Sequence, residues 1–417
     1  MTHRAYEVYS LMPGKDCGSC SNPSCRTMAR KIVAGDTKVE QCINLARPEY
    51  KDNAEKIRKL LEEGVEQGAR GIVVVGEEGI TYIHPCISEA GKVTAEARLT
   101  SGPEGEVELK YGFYDPVMMC WILSQSGIFN NLKCSPRLGV ARVDVDGKTI
   151  MVFQDGRINV RKAKDRKDAL QAIRLVSRTL WGSIICSCCG NTGVDCASGG
   201  CEDCVTRVCP VLAGGPPDPL ASTRGPSDQT VTSTIFDRAK KLEAGEYFFE
   251  GVRRLDRVMS LLAEVAQKIS EGQFDRPPIK AMNEDIDVAN RLAIRFIVET
   301  PRVQDATIGL ILAGVSLDIR RMVAGLEALA ENRGTLLETS RELLREAVDI
   351  ADRAYNAYRY VNFQEAEGVK EAYQNFRRRW KQLFMEQPSE QDVLVAIEKI
   401  ATNGFYIARL LTKPIPA

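Results

Sequence analysis

The placement of cysteine constrains this chain more than any other feature of it. Cys17, Cys20, Cys25 and Cys42 form one group, and Cys186, Cys188, Cys189, Cys196, Cys201, Cys204 and Cys209 form a second, while Cys86, Cys120 and Cys134 stand apart. No cysteine follows Cys209. Residues 1–10 hold no apolar signal core, and the longest apolar runs, such as residues 308–315, fall well short of the roughly 20 residues of a spanning helix. The expectation is therefore a cytoplasmic chain without membrane insertion, where reducing pools keep thiols out of disulfides. Thiols packed this densely then point to inorganic ligation.

Charge narrows the partners. Lys and Arg together number 56 and Asp and Glu also 56, so nothing long-range draws the chain to nucleic acid or to an anionic membrane. Proteins or small molecules are the expected partners. At 417 residues the chain exceeds what one hydrophobic core supports, about 250 to 300 residues, and several modules are expected.

Local pattern places those modules. Residues 213–235, "AGGPPDPLASTRGPSDQTVTSTI", have the Gly, Pro, Ser and Thr content of a linker or a long surface loop. Beyond them Leu255, Val258, Met259, Leu262 and Val265 recur at helical spacing, and further helices are expected near 285–298, 303–330, 335–360, 363–383 and 391–411. Breaks fall at Asn332-Arg333-Gly334, Asn362 and Pro388, so this part reads as a helical bundle.

The middle of the chain is mixed. Residues 55–68 read as a helix, "GIVVV" and "GITYIH" as short strands around the turn at 76–79, and "VARVDVDG", "KTIMVFQDG" and "RINVRKA" as three alternating strands. Asp146-Gly147 and Asp155-Gly156 punctuate them as hairpin turns, and residues 165–181 continue at helical period. The result is a β-β-β-α unit like half of a ferredoxin-like layer. Together these readings give an α+β multidomain chain. Its modules are an iron–sulfur domain at 1–45, an α+β domain at 46–185, a cysteine-rich segment at 186–212, the linker at 213–235 and an all-α bundle at 236–417.

The first cysteine group reads Cys17-x2-Cys20-x4-Cys25-x16-Cys42. Soft thiolates at this density select iron–sulfur clusters or zinc. Structural zinc favours two well-separated pairs, whereas three closely spaced cysteines plus a distant fourth is a ferredoxin-like distribution. Gly18 and Ser19 keep the backbone close, so that its amides point at sulfur, and residues 26–33 read as a helix that ends at Gly35 and returns the chain to Cys42.

At these residues the sequence resembles the small 4Fe-4S domains found at the start of the large subunit of the corrinoid iron–sulfur protein of the acetyl-CoA synthase system and in Rnf-type electron-transfer subunits. The resemblance lies in Pro13, Gly14, Cys17, Gly18, Cys20, Pro23, Cys25, Ala29, Gly35 and Cys42, and departs at Ser21, where a glycine is usual. It covers about residues 10–45. It implies a 4Fe-4S cluster held by Cys17, Cys20, Cys25 and Cys42 and a role beside other redox subunits in a hetero-oligomer.

The second group ends in Cys201-x2-Cys204-x4-Cys209-Pro210, a bacterial-ferredoxin-like ending, with Cys196, Cys189, Cys188 or Cys186 as the fourth ligand. Seven thiols exceed the need of one cubane. They permit a further cluster that borrows Cys86, Cys120 or Cys134, a cluster shared with another subunit, or a zinc knuckle with spare cysteines. Taken singly, Cys86 beside His84-Pro85 reads as packing, Cys120 in "VMMCW" as a buried inert thiol, and Cys134 in "LKCSP" as exposed before a turn.

With two histidines, no Walker loop and no G-x-G-x-x-G after a strand, side-chain catalysis has little material, so a non-catalytic redox subunit or accessory protein is expected. Three functions stay open. They are an electron-transfer or cluster-carrying subunit of an anaerobic complex, an iron–sulfur scaffold or reductive activation factor for another metalloenzyme, and an interaction protein built on structural zinc. Near 377–379 three arginines lie among aromatics, which reads as a helix with core rings and a solvated basic face.

Overall fold

The structure is a computed structural model that describes residues 3–17, 20, 22, 24–33, 35, 37–62, 80–83, 92–99, 101–102, 105–106, 111–198, 235–273, 276–300, 303–332 and 336–412. The expected strand at "GIVVV", the turn at 76–79, Cys86 with His84, the linker up to 234 and Cys201, Cys204 and Cys209 lie outside the described residues. Of the described residues, 3–14 and 25–193 belong to one unit, and those of 15–24, 194–198 and 235–412 to another.

The first unit is built on a six-stranded antiparallel sheet in the order β1 (Ile80–Ile83), β2 (Val93–Arg98), β8 (Arg157–Ala163), β7 (Lys148–Phe153), β6 (Val140–Val145), β5 (Asn130–Ser135). A small separate hairpin joins β3 (Ser101–Gly102) to β4 (Gly105–Glu106). The expected β-β-β-α unit is β6, β7, β8 and helix α5 (Arg166–Thr179). Asp146 at φ 48 and Gly147 at φ 75 are both left-handed, the conformation a two-residue type I′ hairpin requires. Alternation then fixes the buried face. Ala141, Val143, Ile150, Val152, Ile158 and Val160 are fully buried with Ala169, Ile173 and Val176 of α5.

Lys148 opens β7 on that buried face, and its ammonium donates to Asp168 Oδ1 at 2.8 Å in the first turn of α5. Burial opposes the Asp168 charge, but the hydrogen bonds from Lys148 and the Lys164 N–H outweigh it and hold the carboxyl below its usual range. Asp165 caps the same helix by accepting from the Asp168 N–H.

Helix α4 (Pro116–Ser126) has orthodox ends: Asp115 accepts from the Met118 N–H at 2.6 Å, proline occupies the first turn, and Gly127 closes it at φ 63. It feeds through a short turn into β5. That adjacency corrects the expectation that disulfides are absent: Cys120 of α4 and Cys134 of β5 stand 5.6 Å apart at Cα and are disulfide-bonded. Neither is the buried inert thiol or turn thiol that its local sequence suggests, both are partly exposed, and neither is available to a metal site.

The amino-terminal part of this unit has three helices, α1 (His3–Leu11), α2 (Cys25–Val33) and α3 (Lys51–Glu62). Helix α2 matches the helix expected at 26–33, and Gly35 follows it at φ 77, accepting the left-handed turn that ends it. Five of its side chains, Thr27, Met28, Ala29, Arg30 and Ile32, are at most 3% exposed, so it is a core helix.

In the second unit six long helices form the expected bundle: α8 (Gly245–Ser270), α9 (Arg276–Glu299), α10 (Val303–Glu331), α11 (Glu338–Tyr360), α12 (Phe363–Glu386) and α13 (Gln391–Thr412). Two shorter helices also occur, α6 (Gly193–Ala197), which begins at the last residue of the first unit, and α7 (Ile235–Ala239). Asn362 caps α12 by accepting from the Glu365 N–H, and Pro388 follows its end. Gly404 lets α13 approach α11 closely, since a Cβ there would stand 2.8 Å from the Ala351 Cα. The Trp380 indole donates to the Leu394 carbonyl at 2.8 Å, joining α12 to α13.

The aromatic and basic stretch behaves as a core helix should. Tyr373, Phe376, Trp380 and Phe384 are buried, Arg379 pairs with Glu342 and Glu346, and Arg377 pairs with buried Glu398 at 2.9 Å. Among the described residues no helix is long and apolar enough to cross a membrane.

A thiol count checks the disulfide. Unfolded protein alkylated without reductant is expected to show two fewer modified cysteines than reduced protein, and Cys120→Ser to cost about 3 kcal/mol, as for a closed loop of roughly 15 residues. Equal alkylation with and without reductant contradicts the pairing.

Candidate metal centre

The first cysteine group begins on a turn-rich lead. Gly14 at φ 67 and Asp16 at φ 43 are both left-handed and bend the chain into Cys17, which is buried. At Cys20, burial pushes the thiol up from its ordinary value, against the pull of Asn22. The Asn22 amide donates to the Cys20 carbonyl at 2.9 Å and stands 3.6 Å from its Sγ. Cys25 is the first residue of α2, and Cys42 follows a single 3-10 turn at Val39–Gln41 and is buried. None of the four is in a disulfide. Cys17 and Cys20 belong to the second unit, Cys25 and Cys42 to the first. Gly18, Ser19, Ser21 and Pro23 lie outside the described residues.

The second group is carried by a tight knuckle. Ile185 bridges to Thr192, the Cys186 N–H donates to the Asn191 carbonyl at 2.7 Å, and the Gly190 N–H donates back to the Cys186 carbonyl at 2.9 Å. Gly190 makes the turn at φ 71, a left-handed conformation that favours glycine. This loop presents Cys186 and Cys189, and α6 follows directly with Cys196. Along this short stretch of chain Cys186, Cys189 and Cys196 are 0%, 1% and 4% exposed, with sulfur atoms all within 4.8 Å of one another. Among the described residues they are the group of three such ligands gathered that closely. Cys188 is partly exposed, its Sγ 3.0 Å from that of Cys186.

Three buried sulfur donors without a carboxylate or imidazole suit a thiophilic centre, an iron–sulfur group or zinc, and suit magnesium or calcium poorly. Cys201, Cys204 and Cys209, expected in the same group, lie outside the described residues.

Sequence reasoning missed the residues that brace the first unit's cysteine-bearing segments. The Arg30 guanidinium, 2% exposed on α2, donates to Asp115 Oδ2 at 2.5 Å, to the Gly190 carbonyl at 2.7 Å and to Thr27 Oγ1 at 3.3 Å. Arg26 Nε stands 3.5 Å from the same carboxylate. One side chain thus ties the helix that starts at Cys25, the cap of α4 and the turn at Gly190 that follows Cys186 and Cys189. Burial alone would raise the Asp115 carboxyl, but Arg26 and Arg30, with the Met118 N–H, outweigh it and hold it below the usual carboxylate range. Arg30 lies five positions after Cys25, and nothing in that spacing marks it.

Comparison with known proteins bears on the first group. Residues 12–43 match the family model described as "Putative Fe-S cluster". That span contains Cys17, Cys20, Cys25 and Cys42. The chain is 32% identical over 63 residues to the acetyl-CoA decarbonylase/synthase complex subunit gamma of Methanocaldococcus jannaschii, covering 15% of this chain and 13% of that protein. It is 30% identical over 91 residues to the subunit of the same name from Methanothermobacter thermautotrophicus, 19% of each chain. A third relative, an uncharacterized protein of M. jannaschii, is 34% identical over 56 residues, 13% of this chain and 25% of that protein. The chain therefore spans a quarter or less of these relatives. No solved structure matches.

Removing the Asp115 charge tests the brace. Asp115→Ala is expected to destabilise the protein by about 3 to 5 kcal/mol, the cost of leaving a buried guanidinium unpaired. The folded carboxyl titrates below the unfolded one, so its stabilisation is present above the unfolded value and is lost as pH falls through the folded one. Denaturant melts between neutral pH and about pH 3 should show that increment in the natural chain and lack it in Asp115→Asn. Identical pH profiles contradict the pair.

Proposed function

We propose that this chain is an iron–sulfur subunit of an anaerobic multi-subunit complex, acting in the cytoplasm to accept single electrons and pass them to a neighbouring redox subunit. The observation that carries the reading is the coincidence of the Cys17, Cys20, Cys25 and Cys42 set with the iron–sulfur family match over residues 12–43. A 4Fe-4S cubane on those four thiolates would supply one-electron chemistry, with its potential set by burial and by hydrogen bonds to sulfur. The chain's own groups suit that task. The Asn22 amide directed at Cys20 favours the thiolate, and burial of Cys17 and Cys42 limits water. The partner subunits are supported by the printed names of the two gamma-subunit relatives, whose short overlap leaves their complex, substrates and reaction as analogy.

A second centre is proposed on Cys186, Cys189 and Cys196, with Cys188 or one of Cys201, Cys204 and Cys209 completing it. Three buried sulfur donors suit zinc there as well as an iron–sulfur group, and with zinc the second site is structural and the first carries the electrons.

Metal and acid-labile sulfide analysis of anaerobically purified full-length protein decides between these readings. Iron with matching sulfide, and an EPR signal on dithionite reduction that Cys17→Ser, Cys20→Ser or Cys25→Ser abolishes, is the expected result. Stoichiometric zinc with no iron or sulfide contradicts it. If the second site holds zinc, one zinc per chain should disappear in Cys186→Ser and Cys189→Ser while the EPR signal persists.

A further inference from the structure

The disulfide of the first unit takes no part in the iron–sulfur chemistry, and its surroundings point to a chemistry of its own. Cys120 lies midway along α4 and Cys134 near the end of β5. Among the described residues β5 is a terminal strand of the sheet, paired with β6 alone. Every residue of β5 is exposed or half-buried, and both bonded cysteines are half-buried. The bridge therefore stands at the surface of the unit, outside the apolar layer between the sheet and α5.

Neither element needs the bridge to hold its place. Asp115 caps α4 by accepting from the Met118 N–H at 2.6 Å, and the same carboxylate accepts from Arg30. Met118, Met119, Ile122 and Leu123 are buried along the helix. Strand β5 is registered on β6 by its backbone, with Lys133 opposite Arg142, Cys134 opposite Ala141 and Ser135 opposite Val140. Two elements anchored separately keep their positions when the bond between them opens, so both redox states are compatible with the folded unit.

A disulfide within reach of solvent is open to attack by an external thiolate, and exposed bridges are the labile ones. In the cytoplasmic setting proposed above, disulfides are as a rule transient, catalytic or redox-sensing rather than structural. Eight other described cysteines carry no bridge, so pairing is a property of this site and not of the chain's thiols in general.

We propose that Cys120 and Cys134 form a thiol–disulfide exchange site whose co-substrate is a dithiol. One thiolate of the dithiol attacks a sulfur of the pair; the Cys120–Cys134 bond breaks, a mixed disulfide forms, and the displaced cysteine takes a proton. The donor's second thiolate then breaks the mixed disulfide, closes the donor's own disulfide and releases the other cysteine, which also takes a proton. Two electrons pass from the donor to the chain, and the two protons given up by the donor's thiols end on Cys120 and Cys134. The exchange needs no metal. It untethers α4 from β5 while leaving Asp115 at the helix cap.

Peptide mapping reads this pair separately from the other thiols. Trypsin cleaves after Lys110, Lys133 and Arg137, which puts Cys120 on residues 111–133 and Cys134 on residues 134–137. Folded, full-length protein prepared anaerobically is treated with dithiothreitol, quenched with iodoacetamide and digested. The expected result is loss of the linked peptides at a rate proportional to dithiothreitol and unchanged by urea below the unfolding transition, with the link restored by oxidised glutathione once the dithiol is removed. A bridge that opens only in proportion to the unfolded fraction overturns the inference. Cys120→Ser and Cys134→Ser each keep one thiol of the site, and at least one of them is expected to form a mixed disulfide with glutathione while folded; no adduct in either overturns it. A chain isolated with the pair already open is tested in reverse, and failure of oxidised glutathione to close it without urea overturns the inference. Iron and sulfide do not enter this readout, so its failure is distinct from failure of the iron–sulfur proposal.

Discussion

A guanidinium withdrawn from water must find acceptors for its protons, and the first unit is organised around one that does. Arg30 meets this demand with the Asp115 carboxylate, the Gly190 carbonyl and the Thr27 hydroxyl. Each acceptor sits on a different piece of the chain or at a structural transition: the cap of α4, the turn of the cysteine knuckle, and α2 itself. A shift in any one of them strands a buried charge, so the helix that opens with Cys25 and the loop that carries Cys186 and Cys189 are fixed together. Placement of soft ligands on such a braced frame is what a preorganised inorganic site requires.

The second unit uses the same device with the signs reversed in number. There a single guanidinium, that of Arg321 on α10, is shared by the buried carboxylates of Asp195 and Asp318, and desolvation pushes Asp318 toward its neutral form. Buried ion networks are expensive relative to apolar packing, and they contribute little to net stability. Asp195 of this network immediately precedes Cys196, while the bundle has a large apolar core of its own between Phe248 and Leu410.

Much of the architecture was legible because local rules governed it. Asp146-Gly147 forces the β6–β7 hairpin through its left-handed pair, and Asn362 and Pro388 delimit α12 through a cap and a missing donor. The first cysteine set stood out by its spacing, and the iron–sulfur family match covers the span that contains it. What sequence alone did not yield depends on tertiary adjacency. The pairing of Cys120 with Cys134 appears only once the α4–β5 turn brings the two together, and the short, largely exposed strand β5 was hidden by weak alternation. Arg30 and Arg321 carry no local signature at all, since each is one basic residue on an amphipathic helix until its buried acceptors are known.

The account's central claim is that clustered thiolates in this chain hold iron in sulfur coordination. A Mössbauer spectrum of anaerobically prepared protein, enriched in the active iron isotope, tests it most directly because it reports every iron atom whatever its spin state. The account predicts a quadrupole doublet of tetrahedral, sulfur-ligated iron with delocalised valence that changes on reduction. A spectrum with no protein-bound iron, or with iron only in oxygen and nitrogen coordination, contradicts it.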